Sequence, residues 1–184
     1  MLGKAEVVGE QCPTGEVVLI AHSLGAVPAA LAYQAGDIGA SHVVLLEPAL
    51  YDIARGEDAV ERHIEPMTEA RERANAGDLF GYWQIVGPLM FGREASHESW
   101  QEDRELAQRF ADIDPPWGHG IDHSVFAEVP TLVVTGGWNH EYEAIAERLA
   151  VEGAARVQLT GAKHRPQDHP GFESALAKFL RTRD

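Results

Sequence analysis

Apolar residues along this chain fall into two rhythms. Short continuous runs rich in β-branched side chains alternate with longer stretches whose apolar positions recur every three or four residues. Val17-Val18-Leu19-Ile20 is the first continuous run, and unbroken apolarity over so short a span predicts a strand buried on both faces. A helix of small residues is expected from Leu24 to Gln34, and Gly36-Asp37-Ile38-Gly39 then turns the chain into a second strand, His42 to Leu46, closed by Glu47-Pro48. The strand rhythm returns at Pro130–Thr135 and again at Arg156–Thr160, with a helix at Tyr142–Val151 between them. A last helix, Gly171 to Thr182, places Phe172, Leu176, Phe179 and Leu180 on one face. Ahead of the first strand, Leu2 to Gln11 reads as the tail of a helix ended by Pro13-Thr14-Gly15, and a start in mid-helix points to further chain upstream. Strands alternating with helices predict an α/β fold, a mostly parallel sheet flanked by helices.

The stretch between the second and third strands differs. Helical spacing runs over Asp58–Ala76, with an interruption expected at Pro66, and again over His97–Phe110. Between them Leu79–Phe91 is dense in aromatic and apolar residues. The expected organisation is therefore an α/β core, residues 1–51 and 129–184, with a helical cap inserted at 52–128. The competing reading makes Leu79–Phe91 the private core of a helical subdomain.

Composition narrows the function. The 184 residues carry a net charge of −14, and the insertion alone, with seventeen acidic and seven basic residues, contributes −10 of it. Nucleic acids and anionic membrane surfaces both require basic patches, so neither is an expected partner. No apolar run approaches the ~20 residues of a membrane span, and the first residues form no secretory core. The single cysteine, Cys12, cannot form an intramolecular disulfide, which fits a cytoplasmic location.

The chemistry begins where the first strand ends. Ala21-His22-Ser23-Leu24-Gly25 has the form small-Xaa-Ser-Xaa-Gly between strand and helix, the pattern of a nucleophile elbow. There the serine sits on a sharp turn with its hydroxyl above the sheet edge, and the next backbone N–H, that of Leu24, can face a developing oxyanion. Small residues two before and two after the serine let the helix double back against the strands, and Ala21 stands where glycine is usual. The plainer reading is a serine that caps the helix.

In chain order the parts resemble the carboxyl-terminal portion of an α/β-hydrolase-fold protein, a serine esterase or lipase. The motifs that carry the resemblance are Ala21-His22-Ser23-Leu24-Gly25 and Gly161-Ala162-Lys163-His164, set in elbow strand, helix, strand, cap, strand, helix, strand and final helix. It implies Ser23 as nucleophile and His164 as general base, a pairing that chemistry supports because a serine hydroxyl needs a base to take its proton. His22, within the elbow, is expected to point away from the hydroxyl and toward a pocket.

Two departures stand out. At the family's usual position for the triad acid, three residues past a glycine, Gly136-Gly137-Trp138-Asn139 presents Asn139, which can orient an imidazole but cannot stabilise imidazolium with a charge. Glu47, at the carboxyl end of the second strand, is the favoured acid, with Glu141 a distant third. The family also has strands before the elbow strand, and the loop after one of them supplies a second oxyanion donor. Three explanations stay open: a fragment, a sheet completed by a second copy or partner along the exposed elbow-strand edge, or a shortened domain that no longer catalyses.

The expected substrate is a small acyl compound, with Phe80, Tyr82, Trp83, Phe91 and Trp138 as pocket residues beside His22. No cofactor and no metal is expected; His119, Asp122 and His123 on one loop are weak support for zinc. Serine ester hydrolysis is the leading function, and a non-catalytic binding domain of the same fold is the alternative.

Overall fold

A computed structural model describes residues 17–181 of the chain. The expected helix at Leu2–Gln11, Cys12 and the final Thr182 lie outside the described residues. The chain divides into two compact units, one running to Val60 and resuming at Pro116, the other Glu61–Pro115.

The first unit is built on four parallel strands in the order β1 (Val18–His22), β2 (His42–Leu46), β3 (Thr131–Thr135), β4 (Ala155–Gln158). β2 and β3 are buried almost throughout, as continuous Val/Leu runs require when both faces of a sheet are covered. Their register pairs Val44 with Leu132 and Leu46 with Val134. These four residues form one buried face, against which Phe172, Leu176 and Phe179 of the last helix, α6 (Phe172–Arg181), pack. Val43, Leu45 and Val133 point the other way. α1 (Ala26–Gln34) joins β1 to β2 and α5 (His140–Val151) joins β3 to β4, the crossovers that parallel neighbours require. The elbow helix is buried from Ala26 to Ala32, which is why its residues are small and apolar all round rather than amphipathic. β1 is the least covered of the first three strands, with Ile20 51% exposed.

The second unit holds most of α2 (Asp58–Asn75), with α3 (Leu79–Phe91) and α4 (Trp100–Ala111). α2 continues through Pro66 rather than breaking there; the ring removes one backbone donor, and the helix goes on for a further nine residues. The Asp78 carboxylate accepts the Gly81 N–H at 2.8 Å and opens α3. Gly92, in the left-handed region at φ 61°, closes it, with Arg93 N–H donating back to Gly87 at 3.1 Å. Ala70, Tyr82, Trp83, Val86 and Ala107 form a core internal to this unit. Asp103, nearly fully buried, is neutralised by Arg93 at 2.9 Å. Residues 52–60 and 116–128, which the sequence pattern groups with the insertion, fall within the sheet unit. There the Asp52 carboxylate accepts the N–H groups of Gly118, His119 and Ile121.

Candidate active site

Three residues other than glycine have positive φ among the described residues: Ser23 (52°), Glu47 (44°) and Lys163 (50°), the last directly before His164. Such backbone costs about 1–3 kcal/mol per residue and persists only where its surroundings enforce it. Here it falls on the predicted nucleophile, the favoured acid and the residue that presents the predicted base.

At the elbow, His22 is still extended (φ −121°, ψ 133°), Ser23 turns sharply, and a short 3₁₀ turn over Ser23–Gly25 leads into α1. The Ser23 carbonyl accepts the Ala49 N–H at 3.1 Å, which ties the turn to the segment after Glu47. Leu24 lies in this first turn, where N–H groups lack helical partners. Ala21 is buried, as its small size suggests. Gly25 differs from expectation: a Cβ placed there meets nothing within 4 Å, so crowding among the described residues does not require a glycine.

Glu47 follows β2 and is 1% exposed. Gly136 N–H donates to its Oε1 at 2.5 Å and Trp138 Nε1–H to its Oε2 at 3.0 Å. Two directed donors are what a buried carboxylate needs. Oε2 lies 3.8 Å from His164 Nδ1, within ion-pair range but beyond a hydrogen bond, and that buried ring nitrogen has no hydrogen-bond partner among the described residues. The His164 backbone is held by His22, whose Nε2–H donates to the His164 carbonyl at 2.8 Å. Its ring is flanked by those of His22 (4.8 Å between centroids), Tyr142 (5.5 Å) and Trp138 (6.0 Å). The approach of the two loops depends on Gly136, where a Cβ would collide with the Lys163 carbonyl oxygen.

Asn139 is occupied elsewhere. It is the N-cap of α5, and its Oδ1 accepts the Tyr142 N–H at 3.1 Å. Glu141 sits in the first turn of the same helix.

Two residues that sequence reasoning missed belong to this cluster. Tyr142 is buried with its ring 5.5 Å from that of His164, and Tyr51, also buried, lies close enough to Tyr142 to influence its titration. Burial pushes Tyr142 up to about 12, and burial with the neighbouring Tyr142 raises Tyr51 further, so both are neutral phenols across the ordinary pH range. The only sequence signal was position: Tyr51 stands four residues after Glu47, and Tyr142 three after Asn139.

The remaining predicted pocket residues lie in the helical unit. Tyr82 and Trp83 are enclosed in that unit's own core, and burial raises Tyr82 to about 12. Phe80 stacks on His97 at 4.4 Å, and Phe91, 36% exposed, packs edge-on against Phe110. His123 pairs with Glu152 at 2.9 Å, and Asp122 accepts from Ser124. Among the described residues no group of three His, Cys, Asp or Glu is placed to hold a metal. An open cavity of about 580 Å³ is lined by Asp52–Glu57, Gly120–His123 and Arg148, apart from Ser23, Glu47 and His164.

A parallel sheet whose strand ends gather a serine on a strained strand–helix turn, a buried carboxylate and a histidine has the architecture of an α/β hydrolase. The sequence matches the alpha/beta hydrolase family over residues 4–175, and the chain belongs to that family. Among solved structures it is similar to MenH from S. aureus, with a TM-score of 0.54 at 15% identity, covering 96% of this chain and 72% of that one. NosK from Streptomyces actuosus gives 0.52 at 20% identity, covering 98% and 75%. BpoC from Mycobacterium tuberculosis H37Rv gives 0.55 at 16% identity, covering 98% and 72%. At these identities the likeness speaks for the fold. No curated protein sequence matches the chain. Family membership supports a hydrolase. Among the described residues no helix is long and apolar enough to cross a membrane.

Proposed function

We propose that the chain is a serine hydrolase that cleaves a carboxylic ester or related acyl compound through an acyl-enzyme on Ser23. His164 is the general base and Glu47 the residue that orients and charge-stabilises it. The observation that carries this reading is the buried, unpartnered His164 Nδ1 facing the Glu47 carboxylate at 3.8 Å. A buried polar atom without a partner is rare, and catalytic hydrogen bonds are often long before substrate binds. Protonation of His164 during proton transfer draws the two groups together, because the carboxylate then faces a cation. Asn139 caps α5 through its Oδ1, which supports Glu47 over Asn139 as the acid.

In this mechanism Ser23 Oγ attacks the acyl carbon as its proton passes to His164 Nε2, and the Leu24 N–H faces the oxyanion. The protonated histidine returns the proton to the departing alcohol, and water, activated by the same histidine, releases the acid.

The test is intact mass after treatment with a fluorophosphonate. One adduct on the wild-type protein and none on Ser23→Ala is the expected result. A folded wild-type protein that takes up no adduct would refute an activated serine and favour the non-catalytic binding reading.

A further inference from the structure

We infer that Trp138 is a positioning residue of this site, whose indole N–H holds Glu47 Oε2 and sets how closely the carboxylate engages His164. The inference rests on the serine-hydrolase reading above and concerns the strength of its acid–base pair.

Oε2 is the oxygen that faces His164 Nδ1 at 3.8 Å, and the same oxygen accepts the Trp138 Nε1–H at 3.0 Å. Oε1 accepts the Gly136 N–H at 2.5 Å. One loop therefore grips the carboxylate at both oxygens, and Glu47 can close on His164 only by giving ground on the indole side. An exposed indole can donate to water. Trp138 is 49% exposed, yet it donates to a carboxylate that is 1% exposed. Its ring also stands edge-on to that of His164, with 6.0 Å between centroids, so one side chain touches both members of the pair.

The indole is itself held in place. Four consecutive residues after β3 are each tied down: Gly136 and Trp138 to Glu47, Gly137 N–H to Glu143 Oε1 at 3.1 Å, and Asn139 to the Tyr142 N–H. Glu143 is fixed in turn by the Thr135 hydroxyl at 3.1 Å and by Arg156 at 2.5 Å. A loop pinned at every residue fixes the place of the donor before any substrate arrives.

A carboxylate favours the protonated form of a nearby imidazole, and the more strongly the closer it lies and the less its charge is shared. The Trp138 N–H takes a share of the charge on Oε2 and keeps that oxygen beyond hydrogen-bond distance of Nδ1. With the donor removed, Oε2 closes on Nδ1 and His164 keeps its proton to higher pH. The other titratable and charged groups around the ring are His22 from β1, Glu141 and Tyr142 from α5, Lys163 beside it in the chain, and the Arg165–Asp168 pair. All are common to wild type and variants, so a difference between the proteins reports on Glu47.

The experiment follows the rate of fluorophosphonate labelling of Ser23 against pH in the wild type, Trp138→Phe and Trp138→Gln, with folding checked by circular dichroism. Phenylalanine keeps a ring beside His164 and loses the donor. Glutamine loses the ring and carries an N–H the same number of bonds from the backbone as Nε1. The midpoint of the acid limb is expected to rise by about half a unit to one unit in Trp138→Phe, the change in proton affinity that one hydrogen bond on an ionised group is worth, and to stay near the wild-type value in Trp138→Gln. A folded Trp138→Phe whose midpoint is unmoved or lower, or which no longer labels, overturns the inference and leaves the serine-hydrolase reading of a labelled wild type standing. A Trp138→Gln midpoint that moves as far as that of Trp138→Phe overturns it too, because the ring and not the donor would then be responsible. If Trp138→Phe does not fold, Trp138→Met, which also lacks the donor, takes its place in the comparison. A wild type that takes no label at any pH overturns both readings.

Discussion

Glu47 and Asn139 are both polar residues in segments that follow strands, and their surroundings differ. Glu47 is enclosed and receives two N–H donors, while Asn139 spends its carbonyl on the first turn of α5. Glu47→Gln keeps the shape and removes the charge that would stabilise imidazolium, so kcat should fall by about 10⁴, as loss of a triad acid does elsewhere. Asn139→Ala should leave kcat nearly intact and cost about 1 kcal/mol of stability through the lost cap. Paired ester-hydrolysis and thermal-unfolding measurements separate the two, and the reverse ranking would move the acid to the later loop. Glu47 was legible in the sequence because it ends a strongly patterned strand. Asn139 was open to misreading because a family's spacing rule and a helix cap call for the same kind of residue. Tyr142 was not legible at all. Its ring comes to lie beside that of His164, and neither local periodicity nor a motif records where the first turn of α5 will come to rest.

At the scale of elements, the loops after β3 and β4 meet at a point that no side chain could occupy. Gly136 faces the Lys163 backbone there and also donates to Glu47. Gly136→Ala should push the His164 loop away from the carboxylate, so that activity is lost while the sheet survives. A collapse of kcat with far-UV circular dichroism preserved is the expected signature, and unchanged kcat would show that the loops do not need this approach. The strands were read from the sequence nearly to their observed limits, because Val- and Leu-rich runs bounded by Gly, Pro and Asp leave few alternatives. The glycine's role was not, since close approach is a property of two loops and not of either one. The helix through Pro66 went the other way: a local rule predicts a break, and α2 continues regardless.

Burial holds phenols in both units in their neutral form beyond the pH at which a free phenol ionises. Tyr142 in the sheet unit and Tyr82 in the helical unit each stay protonated to about 12 when folded, against 10.0 for a free phenol. A folded-state value above the unfolded one gives stability that is full below pH 10 and lost as pH rises through 12. Alkaline unfolding should therefore set in across that window, with tyrosinate absorbance rising together with loss of structure; tyrosinate forming at pH 10.5 in a still-folded chain from all of these side chains would contradict it. Heat should report on the site as well. Three left-handed residues, Ser23, Glu47 and Lys163, are the places where a side chain opposes its own backbone, and glycine is the residue that feels no such opposition. Elsewhere in a strand or helix a glycine lowers the melting temperature. At Lys163, whose side chain is exposed and outside the proposed chemistry, it should raise it, by about 2–4 °C for each kcal/mol relieved. A glycine scan read only with a thermometer, with no substrate in hand, would then trace the outline of the catalytic centre, and a lower melting temperature for Lys163→Gly would show that the strain is not stored there.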